Sequence, residues 1–311
     1  MHIDGGIGNG VETELVVIIN QGAGHIRPET QARIVDLFRS HSVAARLLVA
    51  RDGGEMVALA RQAAQSNAKV VVGAGGDGTI DTIAAALAGT GKILGVLPLG
   101  TFNLLAGRLG IPLDLTAAVR TCVDGEVAAI NVGEVNGRTF LSRSSVGLYP
   151  LALRHREQMF RQFGRSRLIA LLSGATALVR WGNIMTVCLT TETGRHLFRS
   201  RFVFVCNNPA ELDYFHLPGR RCIEADQFAV YVPNALTPAR ILRLGFRILR
   251  RKARPSHDFE TFCSPSLSFE IEPSSVPVSL DGEVEIMRSP LHYRLRLGAL
   301  HIRVPAVNSA R

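Results

Sequence analysis

Short apolar runs alternate with longer amphipathic stretches through the first third of the chain. Leu15–Asn20 (LVVIIN), Ala44–Val49, Val70–Gly73 and Ile93–Leu97 predict strands, and Thr30–Ser40, Gly54–Ser66 and Ile80–Ala88 predict the helices between them. Near-continuous apolar strands are those buried on both faces, so this alternation predicts a parallel sheet with helices on both sides. From about Glu126 the pattern shortens to β character: Val127–Val135, Thr139–Val146, Met185–Thr191, Phe198–Cys206, Phe228–Val232, Ser266–Ile271, Pro277–Leu280 and Tyr293–Leu297. The dipeptides Asn136-Gly137 and Asp281-Gly282 mark hairpin turns among them. An antiparallel β domain is expected here, with helices inserted at about 150–181 and 237–251, and residues 1–13 read as a flexible leader. No repeats or low-complexity stretches interrupt the pattern.

Composition narrows the function classes. The 311 residues are 47% apolar and 20% charged, which suits a globular chain with ample core. A formal charge of +9, carried almost wholly by arginine, suits a phosphate-rich partner such as nucleic acid, an anionic membrane or a nucleotide. Aromatic content of 6% leaves few stacking platforms and argues against nucleic acid. The five cysteines are widely spread, without a CxxC or Cys/His cluster, so reduced thiols in a cytoplasmic protein without zinc are expected. No secretory signal pattern opens the chain, and its longest apolar run, Leu168–Val179, is too short to span a bilayer.

Three glycine-bearing loops follow predicted strands, where open α/β sheets bind ligands. They are Asn20–Gly24, the acid loop from Gly75 to Asp81 (GGDGTID), and Pro98–Asn103 (PLGTFN). Gly75, Gly76 and Gly78 permit sharp turns and close backbone approach, and free N–H groups at a helix start attract phosphate. Asp77 does not fit a plain anion cradle. A carboxylate about 4 Å from a phosphate costs roughly 4 kcal/mol at an effective dielectric near 20. The loop therefore suggests a nucleotide with a divalent metal, an Asp aimed at a hydroxyl, or a turn that Asp77 caps. GxxxxGK[ST] does not occur, and no GxSxG elbow supports a hydrolase. The nine histidines lack metal-ligand spacing.

GGDGT at 75–79 followed by PLGTFN at 98–103 resembles the diacylglycerol kinase catalytic-domain family, which includes bacterial soluble lipid kinases and the sphingosine and ceramide kinases. The likeness extends through Asn131-Val132-Gly133 with Phe140-Leu141, the Asp226 region and Leu280-Asp281-Gly282-Glu283, covering about residues 14–306. It implies a doubly wound, mostly parallel α/β nucleotide domain (14–128 plus about 293–306) and an antiparallel β-sandwich for the lipid (129–292), with ATP in the cleft between them. It places ATP contacts on Asn20, Gly75, Gly76, Asp77, Gly78, Thr79, Ile80, Asp81, Gly100, Thr101 and Asn103. The base for the lipid hydroxyl is implied at Glu283 with Asp281 nearby, although Asp281-Gly282 alone reads as a type I′ turn. A structural Mg²⁺ is implied on the Asp226 carboxylate and the carbonyls of Ile223 and Phe228.

This chain departs from the family pattern at Gln227, where Gly is usual, and at Asp81 and Thr82, where Asn and Glu are usual. It also has Leu104 for the Asp after the GTxN asparagine, and Ala50 for a threonine. The stretch Ala239–Arg254 (ARILRLGFRILRRKAR) carries seven basic residues and no acid, with Arg240, Arg243, Arg247, Arg250 and Arg254 opposite Ile241, Leu244, Ile248 and Leu249. Such a helix meets anionic lipid, packs its apolar side on the sandwich, or does both. Arg154–Arg167 adds a second basic stretch beside Leu168–Val179, a segment that suits either core packing or an acyl-chain cleft.

The resulting expectation is an ATP- and Mg²⁺-dependent lipid kinase, cytoplasmic and peripheral at the inner membrane face. It would act on diacylglycerol, ceramide or a sphingoid base, with no nucleic-acid partner and a homodimer left open. An NAD kinase-like phosphotransferase and a lipid-binding pseudokinase are the alternatives, the second motivated by Ala50, Asp81, Thr82 and Leu104.

Overall fold

The structure, a computed structural model, describes residues 15–21, 27–153, 184–250 and 257–306. The leader, Gly22–Gly24, the basic stretch Arg154–Arg167 and the apolar run Leu168–Val179 lie outside the described residues. The chain divides into two compact units, one running to Ile130 and resuming at Ala299, the other Asn131–Gly298.

The first unit builds a sheet from β1 (Leu15–Asn20), β2 (Ala45–Ala50), β3 (Val70–Gly75) and β4 (Ile93–Pro98), joined by the last residues of β16 (Leu291–Val304). Its order is β2-β1-β3-β4-β16, and every pair is parallel. The connections are α1 (Pro28–Ser40), α2 (Gly53–Gln65) and α3 (Asp77–Leu87), followed by α4 (Leu104–Arg108) and α5 (Leu115–Asp124). Alternate residues of β1 divide the core. Leu15, Val17 and Ile19 pack with Ile34 and Phe38 of α1 and Val119 of α5, while Val16 and Ile18 are buried on the other face. Side-chain caps fix two helix starts: Asp52 accepts the Glu55 N–H for α2, and Asp114 accepts the Ala117 N–H for α5. The crossover from β2 to β3 passes β1, so the sheet changes winding direction between the carboxyl ends of β1 and β3. Asn20 and Gly75 end those strands at the switch point, where such sheets bind ligands.

The second unit is a sandwich. One sheet has the order β12-β11-β10-β7-β14-β15, from Phe259–Ser264, Phe228–Pro233, Phe202–Cys206, Arg143–Gly147, Ser275–Leu280 and Glu283–Arg288. The other joins the start of β16 to β13 (Ser266–Glu272), β8 (Met185–Thr191) and β9 (Gly194–Ser200). All these pairings are antiparallel. Val203, Phe228, Val230 and Val278 of the first sheet share a core with Val187, Phe269 and Tyr293 of the second. β5 (Glu126–Val135) and β6 (Arg138–Phe140) form a hairpin on Asn136-Gly137, both in the left-handed region.

β11 is buried along its whole length because both faces are covered. Ala229 and Tyr231 on its outer face pack under α6 (Pro209–Phe215), α7 (Arg220–Glu224) and α8 (Pro238–Leu249) through Leu212, Cys222 and Leu244. The same region corrects the expectation of reduced thiols. Cys222 of α7 is disulfide-bonded to Cys263 of β12, with Cα atoms 5.4 Å apart. The two are 41 residues apart in sequence. They meet because α7 lies over β11, whose neighbour is β12, a proximity that residue spacing does not encode. Cys122, Cys188 and Cys206 are free and buried, and burial pushes the Cys122 and Cys206 thiols up to about 12.

Candidate active site

In the first unit the glycine loop and the PLGTFN loop form one structure. Asp77, the first residue of α3, accepts the backbone N–H groups of Asn103 (3.0 Å) and Leu104 (2.7 Å). Its carboxylate thus serves the open start of α4, a helix-dipole position that favours an anion. The cap that the sequence suggested exists, but on α4 rather than on α3. Asn103 sits in the left-handed region and folds its own loop, with Oδ1 accepting from Gly100 N–H (3.0 Å) and Nδ2 donating to Gly100 O (2.9 Å).

Glycine is required where these loops touch. A Cβ on Gly100 would lie 2.4 Å from the Gly76 Cα, and one on Gly75 would lie 2.6 Å from the Thr79 Oγ1. At Gly78 a Cβ would meet nothing within 4 Å, so the loop is open on that side. Asn20 donates to the buried Thr79 hydroxyl (3.1 Å), tying the end of β1 to α3. Ile80 is buried, and its N–H bonds the Gly76 carbonyl, so only the first N–H groups of α3 are available to a ligand. Asp81 is half-buried one turn after Asp77, and Thr101 is exposed beside Phe102. Ala50 ends β2 opposite Asn20 in the sheet register and is buried, so it offers this site no hydroxyl.

In the second unit Asp281 and Glu283 have different surroundings. Asp281 and Gly282 both have positive φ and join β14 to β15 in a two-residue turn with Leu280 opposite Glu283. The Asp281 carboxylate turns inward and accepts three consecutive backbone N–H groups, from Leu141 (2.5 Å), Ser142 (2.8 Å) and Arg143 (2.9 Å). Burial pushes this carboxyl up, against the opposing pull of those N–H groups and the Arg143 guanidinium. Glu283 is exposed at the start of β15. Asp281 therefore shapes the turn, and Glu283 stands outside it.

A polar cluster that the sequence did not reveal supports this turn. Arg143 forms an ion pair with Glu211, which is 2% exposed. Asn208 caps α6 and donates to the Ser142 hydroxyl (3.0 Å), and Asn207 donates to the carbonyls of Asn131 and Leu141. The pattern Asn208-Pro209-Ala210-Glu211 is a helix-start signature and was the available sequence signal.

The Asp226 loop is narrower in what it offers. Asp226 is in the left-handed region at φ 55°, and its carboxylate accepts from Asn131 Nδ2 (2.6 Å). The Ile223 carbonyl accepts the Asp226 N–H (3.1 Å), and Phe228 begins β11. Each of these oxygens has more than one lone pair, so the donor set still fits a hard cation. Among the described residues there is no cluster of three or more acidic, His or Cys side chains suited to a metal.

Comparison with known proteins agrees with this architecture. Residues 14–135 match the family model of the diacylglycerol kinase catalytic domain. The "Probable lipid kinase YegS-like" protein of Klebsiella pneumoniae (strain 342) is 34% identical over 133 residues, which is 42% of this chain and 44% of that protein. The diacylglycerol kinase of Bacillus subtilis (strain 168) is 37% identical over 97 residues, 30% of this chain and 32% of that protein. The matched stretch thus spans less than half the length of these curated relatives. A crystal structure of a diacylglycerol kinase from Bacillus anthracis str. Sterne superposes with a TM-score of 0.65 at 17% identity, covering 94% of this chain and 97% of that one. Another crystal structure from the same organism gives 0.70 at 18% identity, with the same coverage. The resemblance carried by GGDGT and PLGTFN is borne out, and residues 14–135 match the diacylglycerol kinase catalytic domain.

Proposed function

We propose that this chain is an ATP-dependent lipid kinase that phosphorylates a hydroxyl of a neutral lipid at a membrane surface. The observation that carries the reading is the clasp from Asp77 to Asn103 and Leu104, which fuses the two family motifs into one loop pair open at Gly78. Bound MgATP supplies the transferred phosphoryl group, and its metal offsets the developing charge. Gly75, Gly76, Gly78 and the start of α3 hold the phosphates through backbone N–H groups, with Thr79, Ile80 and Asp81 continuing that turn. Asn20, Gly100, Thr101 and Asn103 fix the edges of the same cradle. Glu283 accepts the proton of the lipid hydroxyl as its oxygen bonds the γ-phosphorus and the bond to the β-phosphate oxygen breaks. Asp281 positions that turn rather than reacting.

Diacylglycerol, ceramide and sphingoid bases all present a hydroxyl that meets this chemistry. The test is transfer of labelled phosphate from ATP to a panel of these lipids in detergent micelles. Labelling of one lipid class that is lost in Glu283→Gln supports the proposal; labelling of NAD but no lipid would replace it with the dinucleotide reading. Structural Mg²⁺ on Asp226, Ile223 and Phe228 is a separate proposal. It predicts that Mg²⁺ raises the melting temperature of the wild type but not of Asp226→Ala, and equal shifts would remove the ion from that loop. Among the described residues no helix is long and apolar enough to cross a membrane. Membrane contact in this reading is through basic surface.

A further inference from the structure

α8 divides its arginines between two tasks. Its apolar side is partly what the sequence suggested: Leu244 is buried, with Ile241 and Ile248 packed around the same cluster. Arg247 points toward the segment ahead of β12, where it pairs with the buried Asp258 and approaches His257 Nδ1 (3.2 Å). This pair lies at an open cavity of about 230 Å³ lined also by Asn234, Arg240, Arg243 and His257. Three arginines and one carboxylate therefore line it, and that carboxylate is already engaged by Arg247. Among the described residues neither Arg240 nor Arg243 has an acidic partner. Arg240 and Arg243 are exposed and line the same concavity, so an anion placed there can accept from both.

The size of the cavity and the exposed residues of the same helix narrow the guest. It is smaller than the ~300–1,000 Å³ of a site that engulfs a drug-sized ligand, so it suits one headgroup rather than a whole lipid. The planar forks of arginine match phosphate oxygens, two N–H groups to a pair of oxygens. Leu242 and Phe246, one turn apart on the same helix, are 58% and 52% exposed, and Arg250 lies 4.2 Å over the Phe246 ring. Apolar side chains exposed among arginines on an amphipathic helix are what an interfacial helix presents to a bilayer. A soluble phosphate would have no use for them.

We infer that this cavity is a binding site for the phosphate group of an anionic phospholipid, with Leu242 and Phe246 entering the apolar layer beside it. The inference deepens the membrane part of the proposed function, since it assigns surface contact to a discrete headgroup site rather than to diffuse charge. It also rests on residues other than those assigned to phosphoryl transfer.

The test uses the full chain and no ATP, so failure of the kinase reading would not affect its outcome. Sedimentation is compared on phosphatidylcholine vesicles with and without phosphatidylglycerol. The variants are Arg240→Gln/Arg243→Gln and a charge-matched control, Arg33→Gln/Arg61→Gln, at exposed positions of the other unit. Binding of the cavity variant to phosphatidylglycerol vesicles should weaken by about thirtyfold, the factor two arginines supply at an anionic surface. The control should stay within a few-fold of wild type. Leu242→Ser/Phe246→Ser should also weaken vesicle binding while keeping both arginines. Equal losses in the cavity variant and the control would mean diffuse attraction and overturn the site. Saturable binding of inorganic phosphate that needs Arg240 and Arg243, with vesicle binding unchanged in the variant, would assign the cavity to a soluble phosphate and overturn the lipid reading.

Discussion

Asp77 in the α/β unit and Asp281 in the sandwich both use a carboxylate to gather backbone N–H groups from a distant loop. Asp77 takes two, from residues 26 and 27 positions on, and Asp281 takes three, from residues 138 to 140 positions back. The difference lies in what surrounds them. Asp77 is half-buried in a frame of glycines, so its loop pair stays open to a ligand. Asp281 is half-buried too, but the segment it holds, 141–143, is itself held by Glu211 and by the Asn207 and Asn208 amides, so its carboxylate is spent inside the protein. The comparison teaches that one side chain can serve two architectures, tying two loops together in one unit and holding a turn in the other. Asp77 shapes a loop pair, and Asp281 anchors the turn that precedes Glu283.

The largest expected effect comes from cutting the closed anchor. Asp281→Ala leaves three inward N–H groups without their acceptor, at ~1–3 kcal/mol for each buried group left unsatisfied. A loss of at least about 3 kcal/mol in urea unfolding is expected, enough to threaten folding of a typical domain. A loss below about 1 kcal/mol would show that water replaces the carboxylate and that the anchor is not structural.

Glu283→Gln separates anchor from acid. Turnover should fall by about a hundredfold, in the range for loss of a positioned base, with unfolding free energy lowered by no more than about 1 kcal/mol, the scale of an exposed polar contact. Activity within a few-fold of wild type would remove Glu283 from that role.

How much of this was legible in the sequence follows the range of the interactions. In the first unit strand and helix ends fall within a few residues of expectation, because each βα step is written locally in apolar runs and caps. The doubly wound sheet followed. In the sandwich Phe198–Cys206 reads as one strand, yet Ser200 ends β9 in one sheet and Phe202 starts β10 in the other. Thr139–Val146 likewise splits between β6 and β7. A switch between sheets is decided by partners far away in the chain, and the residues at the break remain extended formers. β15 (EVEIMR) was missed because half its residues are charged, as an edge strand allows. The candidate loops were legible as motifs. Their clasps were not, because Asp77 and Asp281 find partners only after the fold brings those loops together.

A pair of glycine variants sharpens the contrast within the open cradle. Gly100→Ala drives a Cβ into the Gly76 backbone at 2.4 Å, so one loop must move. It should lower stability by about 1–3 kcal/mol and remove ATP binding, as overpacking does elsewhere. Gly78→Ala meets nothing, and in a helix it should preserve or raise stability by up to about 1 kcal/mol. If phosphate occupies that open side, the same methyl should weaken ATP binding at least tenfold without unfolding, as titration calorimetry can measure. Full ATP affinity in Gly78→Ala would place the nucleotide elsewhere.

The smallest effect is a slope with pH, and it reads the balance of forces on Asp281 directly. Burial disfavours its ionised form, whereas three N–H groups and Arg143 favour it; burial is the stronger influence, and the folded carboxyl titrates above its unfolded value. Between those two values the folded protein holds a proton that the unfolded chain has released. Stability from this group is therefore full below the ordinary carboxylate range, declines as pH rises through the raised value, and is flat beyond it. Asp281→Asn cannot titrate and should lack that decline. Subtracting its unfolding free energy from wild type at each pH cancels the titration of distant carboxylates. The difference should be largest at the acid end and shrink with rising pH before levelling. A difference that grows with pH would mean that the N–H groups outweigh burial, and the closed anchor would then be an ionised clamp at every pH where the protein folds.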